Sequence, residues 1–172
     1  INRGPCILSF ASAIVQDSVR SVIYVADYQQ RRIVSISLED DSCSVVAEDV
    51  GLVDSLSFDF IHLDLYFTRS DSPSISRVSV ADSLPAQPRL VLHLQRADLV
   101  RSIAVHPCRM LIFFVNGGQV PSVESVYMSG FDRKRIIEED LGNPNGRSLD
   151  FATDKIYFAD LLNRAIYRAD LD

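Results

Sequence analysis

The sequence predicts an all-β protein: a β-propeller of four-stranded antiparallel blades, about four of which are present. A short strand signature recurs four times, as Ile23-Tyr24-Val25-Ala26-Asp27, Leu65-Tyr66-Phe67-Thr68-Arg69, Ile112-Phe113-Phe114-Val115-Asn116 and Ile156-Tyr157-Phe158-Ala159-Asp160. Its aromatic anchors Tyr24, Tyr66, Phe113 and Tyr157 stand 42, 47 and 44 residues apart. A strand-rich period in the forties marks propeller blades. No stretch keeps helical spacing over three turns, and apolar residues instead alternate at period two.

Each unit reads as four strands in order. The first carries Ile14, Leu56, Ile103 or Arg147 ten residues before the anchor, and ends on Asp17, Asp59, His106 or Asp150. The second is the aromatic strand. The third opens at Ile33, Ile75, Val123 and Ile166, and the fourth contains Val45-Val46, Leu90-Val91-Leu92 and Ile136-Ile137 in three copies. Turn residues fall between them: Asp71-Ser72-Pro73-Ser74 and Asn116-Gly117-Gly118 after second strands, Gly130 after a third, and Asn143-Pro144-Asn145-Gly146 ahead of a first. Gly, Pro, Asn and Asp supply the backbone angles and local hydrogen bonds that reversals need. The units span about 11–50, 51–97, 98–142 and 143–172, with 1–10 as a candidate outer closing strand. Aromatic anchors wedged between neighbouring blades would each contribute roughly 1.5–3 kcal/mol when buried.

Composition narrows the function. The chain has 172 residues, 47% hydrophobic and 23% charged, enough for one domain with a real core. A net charge of −6 disfavours nucleic acid, whose phosphates need a basic face. The basic run Arg133-Lys134-Arg135 reads as a solvated surface. No run of 18 apolar residues is present, so no membrane span is expected within the chain. The amino terminus starts mid-pattern, as in a processed or excerpted chain, and shows no secretory signal.

Three cysteines are an odd count. Cys43 and Cys108 fall two blades apart, beyond the roughly 7 Å Cα separation that a bridge allows. Cys6 could reach Cys43, or any of the three could pair outside the chain. No zinc-site spacing joins them to histidine. His62 and His106 fall in or beside first-to-second strand turns and His93 in an outer strand, away from any nucleophile; they read as exposed residues, with sensing of endosomal acidity as the functional alternative. Glu39-Asp40-Asp41 and Glu138-Glu139-Asp140 lack the alternating spacing of a calcium loop. With no nucleophile elbow, phosphate loop or dinucleotide fingerprint, neither an enzyme nor a bound cofactor or metal is expected.

The columns resemble the Tyr-Trp-Thr-Asp repeats of low-density lipoprotein receptor relatives. Arg101-Ser102-Ile103-Ala104-Val105-His106-Pro107 is similar to the opening strand of that repeat, with His106 where Asp is usual. Val120-Pro121-Ser122-Val123-Glu124-Ser125, Met128-Ser129-Gly130 and the pair Asn143-Pro144-Asn145-Gly146 and Ile156-Tyr157-Phe158-Ala159-Asp160 carry the rest. The resemblance implies a six-bladed propeller in an extracellular or cell-surface ectodomain, of which this chain is a partial copy. It also implies a closing Asp that ties neighbouring blades. Here the chain has no Trp, and that Asp survives as Asp27 and Asp160 while Arg69 and Asn116 replace it. Those two positions must have rewired partners. Arg147 needs a carboxylate or water contact in the central channel.

On a propeller the second-to-third loops and the fourth-to-first connections share one rim. The candidate partner-binding residues there are Tyr28, Arg31 and Arg32, then Arg69 and Asp71, then Arg101, Gln119, Glu138, Glu139, Asp140, Asn145 and Arg147. Tyr and Arg are enriched at the energetic centres of interfaces, and mixed charge favours a protein ligand or a neighbouring ectodomain module. The resemblance implies a receptor segment that binds or releases ligands in endocytosis or signalling. The alternatives are a nidogen-like basement-membrane module and, less favoured, a propeller lactonase.

Overall fold

Period-two alternation with aromatic and β-branched residues on the buried positions drives each unit into an antiparallel meander. The structure is a computed structural model that describes residues 6–81 and 83–171. The first sheet contains β1 (Ala11–Asp17), β2 (Val22–Asp27), β3 (Arg32–Ser37) and β4 (Cys43–Ala47). The second contains β5 (Val53–Asp59), β6 (Asp64–Arg69), β7 (Ser74–Ser79) and β8 (Arg89–His93). The third contains β9 (Val100–His106), β10 (Leu111–Asn116), β11 (Ser122–Tyr127) and β12 (Lys134–Ile137). The fourth has three strands: β13 (Pro144–Asp150), β14 (Lys155–Asp160) and β15 (Ala165–Asp170).

The first strands stand side by side, β1 next to β5, β5 next to β9 and β9 next to β13, so the sheets fan out from a common inner wall. Register sets which face meets which neighbour. Tyr24 lies opposite Val15 and Ser35, and that face packs on Leu56, Phe58, Leu65, Phe67 and Val78 of the second sheet. Tyr66 in turn packs with Ile103, Val105, Ile112 and Phe114, and Phe113 packs with Ile156 and Phe158. The aromatic column is therefore the wedge between successive sheets. Tyr157 has no following sheet among the described residues and is half-exposed.

The first-to-second turns repeat one device. The Asp17, Asp59 and Asp150 carboxylates each accept the backbone N–H groups two and three residues on, at 2.9–3.2 Å. His106 offers no such acceptor pair. There the chain makes a 3-10 turn at Pro107–Arg109 that ends on left-handed Met110 (φ 56°).

The expected outer closing strand at 1–10 is corrected. Residues 1–5 lie outside the described residues, and residues 6–10 form no strand. The backbone N–H groups of Ser9 and Phe10 donate to the Asp27 carboxylate instead, and Cys6 is bonded to Cys43 with the Cα atoms 5.5 Å apart. Both ties hold the segment on the first sheet. Cys108 is free and exposed.

Candidate functional site

The rim is built on the residue that ends each second strand, because its side chain holds the backbone leading into the first strand of the same sheet. Asp27 takes the N–H groups of Ser9 and Phe10, each at 3.2 Å. Asp160 takes those of Gly142 (2.7 Å), Asn143 (2.9 Å), Leu162 and Asn163 (both 3.1 Å). Burial opposes the Asp160 charge, but these four donors outweigh it and hold the carboxyl below its usual range.

The two substituted positions are rewired, as the sequence requires. Arg69 cannot accept, so Asp71 supplies the carboxylate: it accepts the Leu52 N–H at 3.2 Å and is gripped by Arg69 Nε at 3.2 Å and Nη2 at 3.3 Å. The Arg69 guanidinium crosses Gly51 so closely that a Cβ there would sit 2.3 Å from Nε, and Gly51 has φ +77°. Only glycine leaves that room. In the third sheet Asn116 Oδ1 accepts the N–H groups of Leu99 (2.9 Å) and Gly118 (3.0 Å). The Asn116 amide donates to Asp98 (2.7 Å) and Glu124 (3.2 Å), and Arg133 bridges both acids at 2.6 and 2.8 Å. Arg133 thus departs from the solvated reading of its basic run. Its neighbours Lys134 and Arg135 are exposed, paired with Asp132 (2.7 Å) and Glu138 (3.1 Å).

Above this scaffold the first three sheets share a polar strip. Tyr28 Oη stands 3.3 Å from Ser70 Oγ, which also donates to the Leu52 carbonyl. Phe10 meets the Tyr28 ring edge-on at 5.8 Å and is itself exposed. Half-buried Asp54 faces Ser70 and Arg101. Burial raises its carboxyl above the usual value, against the Ser70 hydroxyl and the Arg101 charge. For Asp71 burial is again the largest influence, yet Arg69, the Leu52 N–H and Arg31 together hold it below its usual value. Tyr28, Arg31, Arg69, Asp71 and Arg101 are therefore brought together, with Phe10, Asp54 and Ser70 joining them. Sequence reasoning missed those last three. Ser70 follows its second strand as Tyr28 and Leu161 follow theirs, a positional signal, whereas the placement of Phe10 and Asp54 has no sequence signature.

The remaining candidates lie elsewhere. Arg32 reaches back to Asp27 (3.4 Å) and the Ile7 carbonyl (3.1 Å), bracing the amino-terminal segment. Gln119, Glu138, Glu139 and Asp140 are exposed beside the third sheet, and the Asp140 carbonyl accepts Asn163 Nδ2 at 2.7 Å. Asn145 caps the Gly146 N–H at 2.9 Å. Arg147 points into the central channel, not onto the rim. The histidine reading needs one correction: His106 is only 5% exposed, with Phe151 edge-on at 5.0 Å and Asp154 at 3.4 Å, whereas His62 and His93 are exposed. His62 Nδ1 lies 2.7 Å from Asp59 Oδ2. Among the described residues no three His, Cys, Asp or Glu side chains converge as a metal site, and no helix is long and apolar enough to cross a membrane.

Residues 111–146 match the family model for low-density lipoprotein receptor repeat class B. Protein cueball of Drosophila persimilis is 26% identical over 166 residues, covering 91% of this chain and 26% of its own length. The Drosophila grimshawi protein of the same name is 27% identical over 154 residues, covering 87% and 26%. The chain spans about a quarter of the length of these curated relatives. The crystal structure of a nidogen/laminin complex superposes with a TM-score of 0.76 at 21% identity, covering 87% of this chain and 56% of that one. A gluconolactonase from Xanthomonas campestris superposes at 0.74 with 14% identity, covering 94% and 58%. At these identities the structural likenesses show the fold, a β-propeller. The class B repeat match covers one of the four units whose strand columns resembled it.

Proposed function

We propose that this chain is a non-catalytic, protein-binding propeller segment of an extracellular protein related to the low-density lipoprotein receptor. In this reading the units at 11–50, 51–97, 98–142 and 143–172 form part of a six-bladed domain that binds or releases ligands in endocytosis or signalling. The carrying observation is the strip of Tyr28, Arg31, Arg69, Asp71 and Arg101, an aromatic and guanidinium-rich surface set on a braced backbone. The Cys6–Cys43 bridge supports an oxidising compartment. The channel wall supports a binding module over a catalyst, since its lining of Ile14, Leu56, Phe58, Val105 and Arg147 with the single acid Asp17 brings no group of carboxylates together among the described residues.

The test uses the full-length protein against an array of secreted and cell-surface proteins. A binder is expected whose affinity falls at least about tenfold with Tyr28→Ala or Arg101→Glu. Unchanged affinity in both variants would remove the strip from the interface. The likeness to nidogen favours a second reading, a matrix joint, so laminin belongs on the same array. Calcium-dependent lactone hydrolysis by the full-length protein would overturn the non-catalytic reading in favour of the gluconolactonase likeness.

A further inference from the structure

The channel holds a charge that the rim does not explain. Arg147 lies opposite Phe158 in the β13–β14 register, in the column filled elsewhere by Ile14, Leu56 and Ile103. Its side chain lines a cavity of about 530 Å³ with Ile14, Leu56, Phe58, Val105 and Leu149. One of its five donors is used: Nη2 stands 3.4 Å from Ser55 Oγ. Nε is buried with no hydrogen-bond partner, and among the described residues no carboxylate lies within ion-pair distance of the guanidinium. Burial alone lowers its pKa to about 10. The acid in the same wall, Asp17, accepts the Val19 and Arg20 N–H groups through Oδ1, while its Oδ2 has no hydrogen-bond partner and lies 3.9 Å from Arg20 Nε. At the mouth of the cavity stand Val19, Phe60 and Phe151, respectively 88%, 52% and 52% exposed.

We propose that this mouth of the channel is a binding site for a monocarboxylate with an apolar body, the carboxylate seated on Arg147 and the body lying along the apolar wall. A lone guanidinium matches a carboxylate through its planar fork. A phosphate or sulfate ester would need a second cation, and no other lining residue is basic; Asp17 would repel the extra charge. The wall and volume suit a ligand of the size that such cavities enclose. The site is separate from the rim and does not rest on the receptor reading.

The probe is dansyl-undecanoic acid, a fluorescent fatty acid, titrated into the full-length protein beside its methyl ester. Saturable binding of the acid is expected, with at least about 30-fold weaker binding of the ester and of the acid to Arg147→Leu, and an intermediate value for Arg147→Lys. Tyr28→Ala should bind the probe as wild type does, which separates this site from the rim. Without probe, Arg147→Leu should melt no lower than wild type, because it removes a half-buried charge that has no ion-pair partner among the described residues. Equal binding of acid and ester, full binding by Arg147→Leu, or no saturation up to about 1 mM would overturn the proposal. So would a lowered melting temperature for Arg147→Leu with no probe bound by wild type, since the carboxylate would then be an acidic side chain of the protein itself.

Discussion

Asn116 stands where two other units end their aromatic strand in Asp, and its surroundings explain the difference. Its amide donates to Asp98 and Glu124, which share Arg133, while its carbonyl oxygen keeps the backbone contact that Asp makes elsewhere. Asn116→Asp would restore the repeat's usual residue yet place a third carboxylate on one guanidinium. A loss of about 2–4 kcal/mol is expected in urea unfolding, and a neutral result would remove the network from the account. Glu124 gives the same cluster a pH signature. Burial opposes its charge, but Arg133, Ser122 and Asn116 outweigh that and hold its carboxyl below the ordinary 4.5. Because the folded value is depressed, the contribution is complete above about pH 4.5 and is lost as pH falls through the folded pKa. Glu124→Gln should flatten that acid limb of the stability–pH curve. A limb unchanged in slope would assign the acid sensitivity to other carboxylates. The sequence located Asn116 as rewired but could not name Asp98 or Arg133, which come from before β9 and after β11.

Among the elements, the hairpins were the most legible. Asp17, Asp59 and Asp150 announce their turns because an Asp carboxylate reaches its own backbone two and three residues on, a purely local geometry. His106 announced its exception the same way, but its burial depends on Phe151 of the next sheet, so it could not be foreseen. The amino-terminal segment shows the opposite case. A short apolar stretch before β1 suits an outer strand, yet Cys6–Cys43 and the Asp27 carboxylate fix it on the first sheet. The bridge closes a separation of 37 residues. Replacing both cysteines by Ser is expected to lower stability by about 3–4 kcal/mol, read from denaturant midpoints of oxidised wild type and variant. A change below about 1 kcal/mol would show that the segment contributes little to the first sheet.

Across the whole molecule, stability should follow how many neighbours each sheet has. The second and third sheets are covered on both faces by adjoining sheets, and Tyr66 and Phe113 are buried within those contacts. Among the described residues the fourth has one covered face; its other face carries Tyr157 and Ile166, the latter 79% exposed. In the 172-residue chain, hydrogen exchange is expected to be slowest in β6 and β10 and at least about 100-fold faster in β15. Uniform protection across the four sheets would contradict this gradient. Any covering of the open face in a longer protein should slow β15 selectively, which gives the same measurement a use in testing the six-bladed reading.

The repeat period, the alternation and the aromatic column by themselves determined the sheets, their strand order and the faces that wedge together, since each follows from spacing along one strand or one turn. The destination of the polar side chains was decided by the tertiary structure. Which N–H meets the carboxylate of Asp71, which acids share Arg133, and why Arg147 meets none among the described residues depend on where the adjoining sheet and its connections run. A hydrogen bond is short-ranged and directional, so a shift of about an ångström in a neighbouring backbone changes its partner. Apolar packing responds to a face as a whole, and a face can be read from a pattern.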